Sequence, residues 1–565
     1  MYVVVVACTI ILWTRVIAED PSQSNHVHII DTDDSSWKFS TNSTSEEAPC
    51  FTETYCGPVE GRLNNGVHIF KGIPYAKPPI GQLRWKPPVP LTNGDGCWKG
   101  TLKALEFSKW CFQDQPVLGR VGDEDCLYLN IYTPSLDLSA KLPVMVWIHG
   151  GYMMFSSAAE VGYHPHEKTV QQTGMVYVTF NYRLNAFGFL ALNLLSERSI
   201  TNTSGNYGFM DQILVLEWVQ RNIRYFGGDP DLVTIFGQSS GGTSVWAMMV
   251  SPLAKGLFHR AWMSSSSSVF NATLEQAEKD NLVFLHRSNC SDAECLYSLT
   301  PSQVMDAVPI DIYPYWVPAD ACDLPTKGLL YGPICIVDGL VVPNAPLEIW
   351  QQGKGNDVPL IIGSTAQEVD FLPSDMTIRS WDWDEYTKQV TERLDTFGEA
   401  VTMEAMKLYP HDDPDATPEL IYTTMGSDIR VICGNDIVAM EAAKSLTSPV
   451  YRYIVTLSPS RPFSFFGLPW EPRYAFHMWD VFAFFGNVPF FLPAHTKNDM
   501  AFQNLLQGLL TNFAKEGTMP TSAKWEPFPS QVALLSTNVT TVHRYHERQC
   551  NFWTDNGFYA YSHVN

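Results

Sequence analysis

The sequence predicts an α/β protein, a large and mostly parallel sheet flanked by helices. Three observations predict it. Short β-branched and aromatic runs bounded by Gly or Pro alternate with helical patterns. No long linker or internal repeat interrupts that alternation after Cys50. One passage runs strand, tight glycine turn, helix, the rhythm of a βαβ sheet.

In chain order, residues 3–13 form an apolar run too short to span a bilayer. Arg15 and then Val16-Ile17-Ala18 precede Glu19-Asp20, so residues 1–18 are expected to be a signal peptide. Residues 19–49, rich in Ser, Thr and acidic side chains, predict a flexible lead-in, and 50–565 the folded domain. Residues 141–149 (KLPVMVWIH) and 175–181 (MVYVTFN) read as buried strands. Residues 211–225 show helical spacing, with Ile213, Leu216, Trp218 and Ile223 on one broad face. Residues 232–236 (LVTIF) read as a strand emptying into Gly237, with a helix following through Val245 to Val250. A serine tract, residues 264–268, is the one low-complexity stretch.

Composition narrows the function classes. The 565 residues are 45% hydrophobic and 17% charged, enough apolar content for a sizeable core. A net charge of -22 argues against nucleic acid or an anionic membrane surface as partner. No later stretch reaches about 20 apolar residues, so no membrane anchor is expected. Of 12 cysteines, Cys8 lies in the leader, and the others suit an oxidising compartment. No pair stands at zinc spacing, so no metal site is expected. Asn42, Asn202, Asn271, Asn289 and Asn538 each open a glycosylation triplet, which agrees with a secreted, extracellular protein.

The chemistry is concentrated at Gly237-Gln238-Ser239-Ser240-Gly241-Gly242. Glycines flank the serine because the turn from strand to helix is too sharp for side chains. A phosphate loop of similar composition would want a lysine after the glycines, where Thr243 stands. Ser239 is therefore the expected nucleophile. Strand 143–148 ends in His149-Gly150-Gly151, the expected source of further oxyanion-hole amides beside that of Ser240.

These blocks, with GIPYAKPPIGQLRWKPP at 72–88, EDCLYLNIY at 124–132, NYRLNAFGFLAL at 181–192 and GNYGFMDQ at 205–212, resemble the type-B carboxylesterase and cholinesterase family. The resemblance runs from about Cys56 to Trp553. It implies the α/β-hydrolase fold, cleavage of carboxylic esters through an acyl-enzyme, and no cofactor. It identifies Glu368, after the strand-like 359–363, as the acid, and His477, before Asp480 and Phe485-Gly486, as the base. The order Ser239, Glu368, His477 is the order this fold uses.

The resemblance further implies bridges Cys111 to Cys126, Cys290 to Cys295 and Cys433 to Cys550, with Cys322 to Cys335 as a plausible extra. A bridge to Cys97 from Cys50 or Cys56 stays open. Arg84 with Glu124, and Arg183 with Asp211, match the family's structural ion pairs. Departures are visible too. The segment between Cys111 and Cys126 lacks the tryptophan that cholinesterases stack on choline. Gln238 stands where a glutamate is usual, Val369 where a glycine follows the acid, and Tyr152 at a third oxyanion glycine. Trp316, Phe463, Phe465, Phe466 and Trp470 are expected to rim an apolar gorge, suiting a small-molecule ester with an apolar acyl group. An adhesion or binding protein on the same fold, or an acyltransferase, is the alternative reading.

Overall fold

Thirteen strands form one sheet among the described residues. The computed structural model describes residues 48–310, 322–330, 334–371, 373–464 and 469–562. The expected signal peptide, nearly all of the lead-in, Asn42, Trp316, Phe465 and Phe466 lie outside them.

Twelve strands form the path of the sheet: β1 (Ala48–Thr54), β2 (Gly57–Asn64), β3 (Val67–Pro74), β4 (Tyr128–Thr133), β5 (Leu142–Ile148), β6 (Val176–Phe180), β7 (Gly228–Gln238), β8 (Arg260–Ser264), β9 (Leu360–Thr365), β10 (Val450–Val455), β11 (Val532–Leu535) and β12 (Val539–Val542). Their spatial order is β1-β2-β3-β4-β6-β5-β7-β8-β9-β10-β11-β12. From β6 to β11 every neighbour is parallel. The first four strands and β12 pair antiparallel at the two edges. Parallel strands need helical crossovers on both faces, so the central strands are buried throughout and read as unbroken apolar runs. That is why VMVWI in β5 and VYVTF in β6 do not alternate with polar residues. β7 begins four residues before the expected strand and ends at Gln238, directly before the expected nucleophile.

The helix expected over 211–225 is α1 (Tyr207–Asn222), closed by a 3-10 turn at Ile223–Phe226. It is buried on most sides rather than along one face, because Asp211 and Gln212 also point inward. Asp211 takes both guanidinium arms of Arg183 and its backbone N–H at 2.7–3.0 Å. Arg84 grips Glu124 in the same forked way and donates to the Leu299 carbonyl. Both family ion pairs are thus buried and fully hydrogen-bonded, the condition under which a buried charge is tolerated. Under the strand ends the Phe236 ring stacks on Trp262 at 5.4 Å and tilts against Trp147 at 4.9 Å. Large rings contribute about 1.5–3 kcal/mol each on full burial, so this cluster fixes the floor of the site firmly.

Among the described residues four disulfides form: Cys56–Cys97, Cys111–Cys126, Cys290–Cys295 and Cys433–Cys550. Cys56 is thus the partner of Cys97, and Cys50 is a buried thiol whose pKa burial raises to about 11. The extra pair Cys322 with Cys335 does not form. Cys335 is fully buried beside Ile336, whose backbone is clamped by the Asn206 side chain. Cys322 adjoins Asp323, which is held by Tyr422, Arg393 and Ser374. Each cysteine is tied to a different element.

Cys433–Cys550 closes a sequence separation of 117 residues and Cys290–Cys295 one of 5. Loop-closure entropy therefore predicts unequal losses. Replacing both cysteines of the long bridge by serine is expected to cost about 5 kcal/mol, against about 2 kcal/mol for the short one. Urea unfolding of the two double variants checks the ranking.

Candidate active site

The nucleophile position is made by close packing of backbone. A Cβ on Gly237 would lie 2.3 Å from the Gly241 carbonyl oxygen, and one on Gly241 would lie 2.1 Å from that of Ile148. Only glycine lets β7 turn into α2 (Ser240–Val250) within a single residue. That residue is Ser239, at φ 60° and ψ -129°. Such a conformation is costly for a side-chain-bearing residue and persists where the surroundings enforce it. Here the Ser239 N–H donates to the Ser264 carbonyl, and its own carbonyl accepts from Thr243. Ser239 is only 5% exposed, at the start of a helix whose free amides favour developing negative charge.

The loop after β5 supplies the second wall. A Cβ on Gly150 would come within 3.1 Å of the Ser239 Cβ, so Gly150 flanks Ser239 directly. Gly151, Tyr152 and Met153 follow at φ 107°, 58° and 59°, three consecutive left-handed residues. Tyr152 thus adopts a glycine-like backbone, and its ring rests against Phe155 at 5.7 Å. The loop is pinned where Met153 N–H donates to Ser240 Oγ and where the carbonyl of Gly151 accepts from Met154 and Phe155. His149 braces it from behind. Its ring stacks on Tyr182 at 4.4 Å, the Tyr182 hydroxyl donates to its carbonyl, and burial lowers its pKa to about 4. Neutral at physiological pH, His149 is a support and not a charge.

Gly151→Ala is the sharp test of this loop. The new Cβ would lie 2.3 Å from the Phe155 carbonyl oxygen at a φ unsuited to alanine. The loop must shift, and a fall in kcat of about 10²–10³ is expected, the size of one lost oxyanion donor. Steady-state kinetics on a variant shown to be folded would check it.

Glu368 and His477 meet although 109 residues separate them: His477 Nδ1 lies 2.6 Å from Glu368 Oε2. The other carboxylate oxygen accepts from the Thr365 N–H and from Ser265 Oγ, each at 2.7 Å. Three partners thus fix a carboxylate that is 1% exposed, beside an imidazole that is 5% exposed. Val369, at the position where the family often has glycine, donates its N–H to Ser427 and disturbs none of this.

Sequence reasoning missed two parts of the site. The serine tract, set aside as low complexity, lines it. Ser264 Oγ donates to Asp480 at 2.6 Å, Ser265 Oγ to Glu368, and Ser266 Oγ to Asn435. β8 ends at Ser264 beside β7 and β9, so the tract emerges between Ser239 and Glu368. The second is Asp370. Buried two residues beyond Glu368, it accepts from Trp470 Nε1 and from the N–H groups of Arg473 and Tyr474. Gln367 also bonds Ala475. One short segment, 367–370, thereby holds the whole approach to His477. Its only sequence trace was a second carboxylate two places after the first.

The expected gorge aromatics among the described residues are core. Phe463 packs on Phe476, Phe482 and Phe491 at 4.8–5.3 Å, and Trp470 is 2% exposed. Gln238 is fully buried, and its amide finds no hydrogen-bond partner among the described residues. Asn202, Asn271, Asn289 and Asn538 are all exposed. Among the described residues no three or more metal-ligating side chains gather, and no helix is long and apolar enough to cross a membrane.

A parallel sheet with a serine elbow at the end of β7 and an acid–imidazole pair beyond β9 defines an α/β hydrolase. The chain belongs to the carboxylesterase family, whose model matches residues 48–553. Para-nitrobenzyl esterase of Bacillus subtilis is 32% identical over 509 residues, 86% of this chain and 95% of that protein. Neurotactin of Drosophila melanogaster is 34% identical over 389 residues, 67% of this chain and only 44% of that longer protein. Among solved structures, a PNB esterase superposes with a TM-score of 0.70 at 30% identity, covering 89% of this chain and 99% of its own. A carboxylesterase from Geobacillus stearothermophilus gives 0.71 at 28% identity, with 89% and 99% covered. Fold and family are those of a carboxylic-ester hydrolase.

Proposed function

We propose that this protein is a secreted serine esterase acting through Ser239, His477 and Glu368. The observation that carries the reading is the buried 2.6 Å Glu368–His477 contact, linked through the adjacent Ser264 and Ser265 to a serine held in a strained elbow. His477 takes the Ser239 proton as the hydroxyl attacks the ester carbonyl. Glu368 keeps Nδ1 protonated, so Nε2 is the free base, and it stabilises the imidazolium once formed. The N–H groups of Gly150, Gly151, Tyr152 and Ser240 receive the oxyanion. The alcohol leaves with the proton from His477, and water then repeats the attack on the acyl-enzyme.

Secretion and glycosylation at Asn42, Asn202, Asn271, Asn289 and Asn538 belong to the same reading. Four disulfides and the leader-like residues 1–18 support it.

The test is release of p-nitrophenol from acetate, butyrate and longer acyl esters by protein recovered from the medium of expressing cells. Turnover that ranks the acyl lengths supports the reading. A folded protein without turnover on any of them would overturn it in favour of a binding function on the same fold.

A further inference from the structure

Met478 immediately follows the proposed base and stands at φ 79°, in the left-handed region where a side chain is disfavoured. Its sulfur accepts a hydrogen bond from the Tyr163 hydroxyl at 2.8 Å. Burial holds the Tyr163 phenol far above its usual pKa, so it remains a donor. Tyr163 closes the loop that begins with Gly150 and Gly151, and its ring is wedged between Trp147 at 5.4 Å and Phe482 at 6.1 Å. The contact therefore ties the oxyanion loop to the residue beside the base. Asn487 reinforces the tie by donating to the carbonyls of Gly162 and His164. Met478, Tyr163, Ser239 and His477 keep similar small exposures of 5–7%.

The chemistry decides which half of an ester meets Met478. The carbonyl oxygen must lie at the loop amides, and the leaving oxygen must lie where His477 can protonate it. The alcohol moiety is thus the part directed toward the base and its neighbour. A free methionine, with three rotatable bonds, would yield to a bulky alcohol. One pinned through its sulfur cannot.

We propose, on the basis of the esterase reading, that Met478 clasped by Tyr163 walls the leaving-group side of the site and selects esters of slender alcohols. The left-handed backbone brings the thioether to the Tyr163 hydroxyl, which fixes it there.

The experiment compares ethyl, butyl and 3,3-dimethylbutyl acetates, primary alkyl esters of closely matched leaving ability, with ethyl acetate, butyrate and hexanoate. The parent, Met478→Gly and Tyr163→Phe are each assayed. In Met478→Gly the ratio of kcat/KM for 3,3-dimethylbutyl over ethyl acetate is expected to rise at least about tenfold, as when several atoms leave a pocket wall. In Tyr163→Phe, which keeps the ring and removes the pin, it should rise by roughly threefold, with the acyl-series ratios steady in both. Ratios cancel any loss of folded enzyme. An unchanged alcohol ratio, or a change confined to the acyl series, would overturn the proposal. If the parent hydrolyses p-nitrophenyl acetate no faster than Ser239→Ala, the esterase reading itself falls and takes this proposal with it.

Discussion

Ser239→Ala is expected to lower kcat on p-nitrophenyl esters by roughly 10⁵- to 10⁶-fold while leaving the fold intact. The change deletes one oxygen. The Cβ that the elbow must accommodate is already present in serine, so alanine adds no strain at φ 60°. The backbone bonds that hold the turn, Ser239 N–H to Ser264 and Thr243 N–H to Ser239, are untouched. What disappears is the acyl-enzyme route, because His477 is left with no hydroxyl to deprotonate. A remnant of about 10³–10⁴ over the water reaction should survive, since oxyanion amides and substrate binding do not need the serine. Steady-state rates, a melting curve and mass detection of a fluorophosphonate adduct on the parent alone would check all three statements. A variant that keeps turnover within about tenfold would mean that another group attacks, and the assignment of Ser239 would be lost.

How much of this site could be read from the residues depends on how local each part is. The elbow was legible because its glycines answer to contacts within one strand-turn-helix unit, such as the 2.3 Å that a Cβ on Gly237 would leave to the Gly241 carbonyl oxygen. The strands around it were legible for a similar reason, since burial on both faces writes an unbroken apolar run. Glu368 and His477 were found only through the family resemblance. Nothing in a lone carboxylate and a lone imidazole 109 residues apart announces a 2.6 Å contact. The serine tract failed for the opposite reason. Five serines in a row look like filler until the order β7-β8-β9 sets them between Ser239 and Glu368. Phe463 and Trp470 were placed at a rim because aromatics suit both rims and cores. The packing of Phe463 and the hydrogen bond from Trp470 to Asp370 decide for core. For cysteines, spacing alone could not separate Cys56 from Cys50 as partner of Cys97. Nor could it foresee that Asn206 would hold the segment of Cys335 against the start of α1.

Glu368→Gln is the second large effect, an expected loss of about 10⁴ in kcat from a nearly isosteric change. The amide can keep its oxygen at the Oε1 position, where the Thr365 N–H and Ser265 hydroxyl already donate. Its NH₂ then faces His477 Nδ1, the atom now 2.6 Å from the carboxylate. Two donors cannot face each other, so the imidazole must move its proton to Nε2. In that tautomer it cannot receive the Ser239 proton. Glu368→Asp should behave differently: shortened by one methylene but still an acceptor, it leaves the tautomer correct and costs kcat by roughly 10–100-fold. The pair of variants therefore separates loss of charge and acceptor from loss of reach. A rival carboxylate makes the comparison decisive. Asp480 is also buried close by, with its pKa raised by burial and, to a smaller degree, by the charge of Glu368. Its oxygens, however, are occupied by the hydroxyls of Ser264 and Tyr453 and by the Val481 N–H. If Glu368→Gln retained activity within tenfold while Asp480→Asn abolished it, the orienting acid would be Asp480 acting through Ser264. The opposite ranking is expected, because only Glu368 has an oxygen on the imidazole itself.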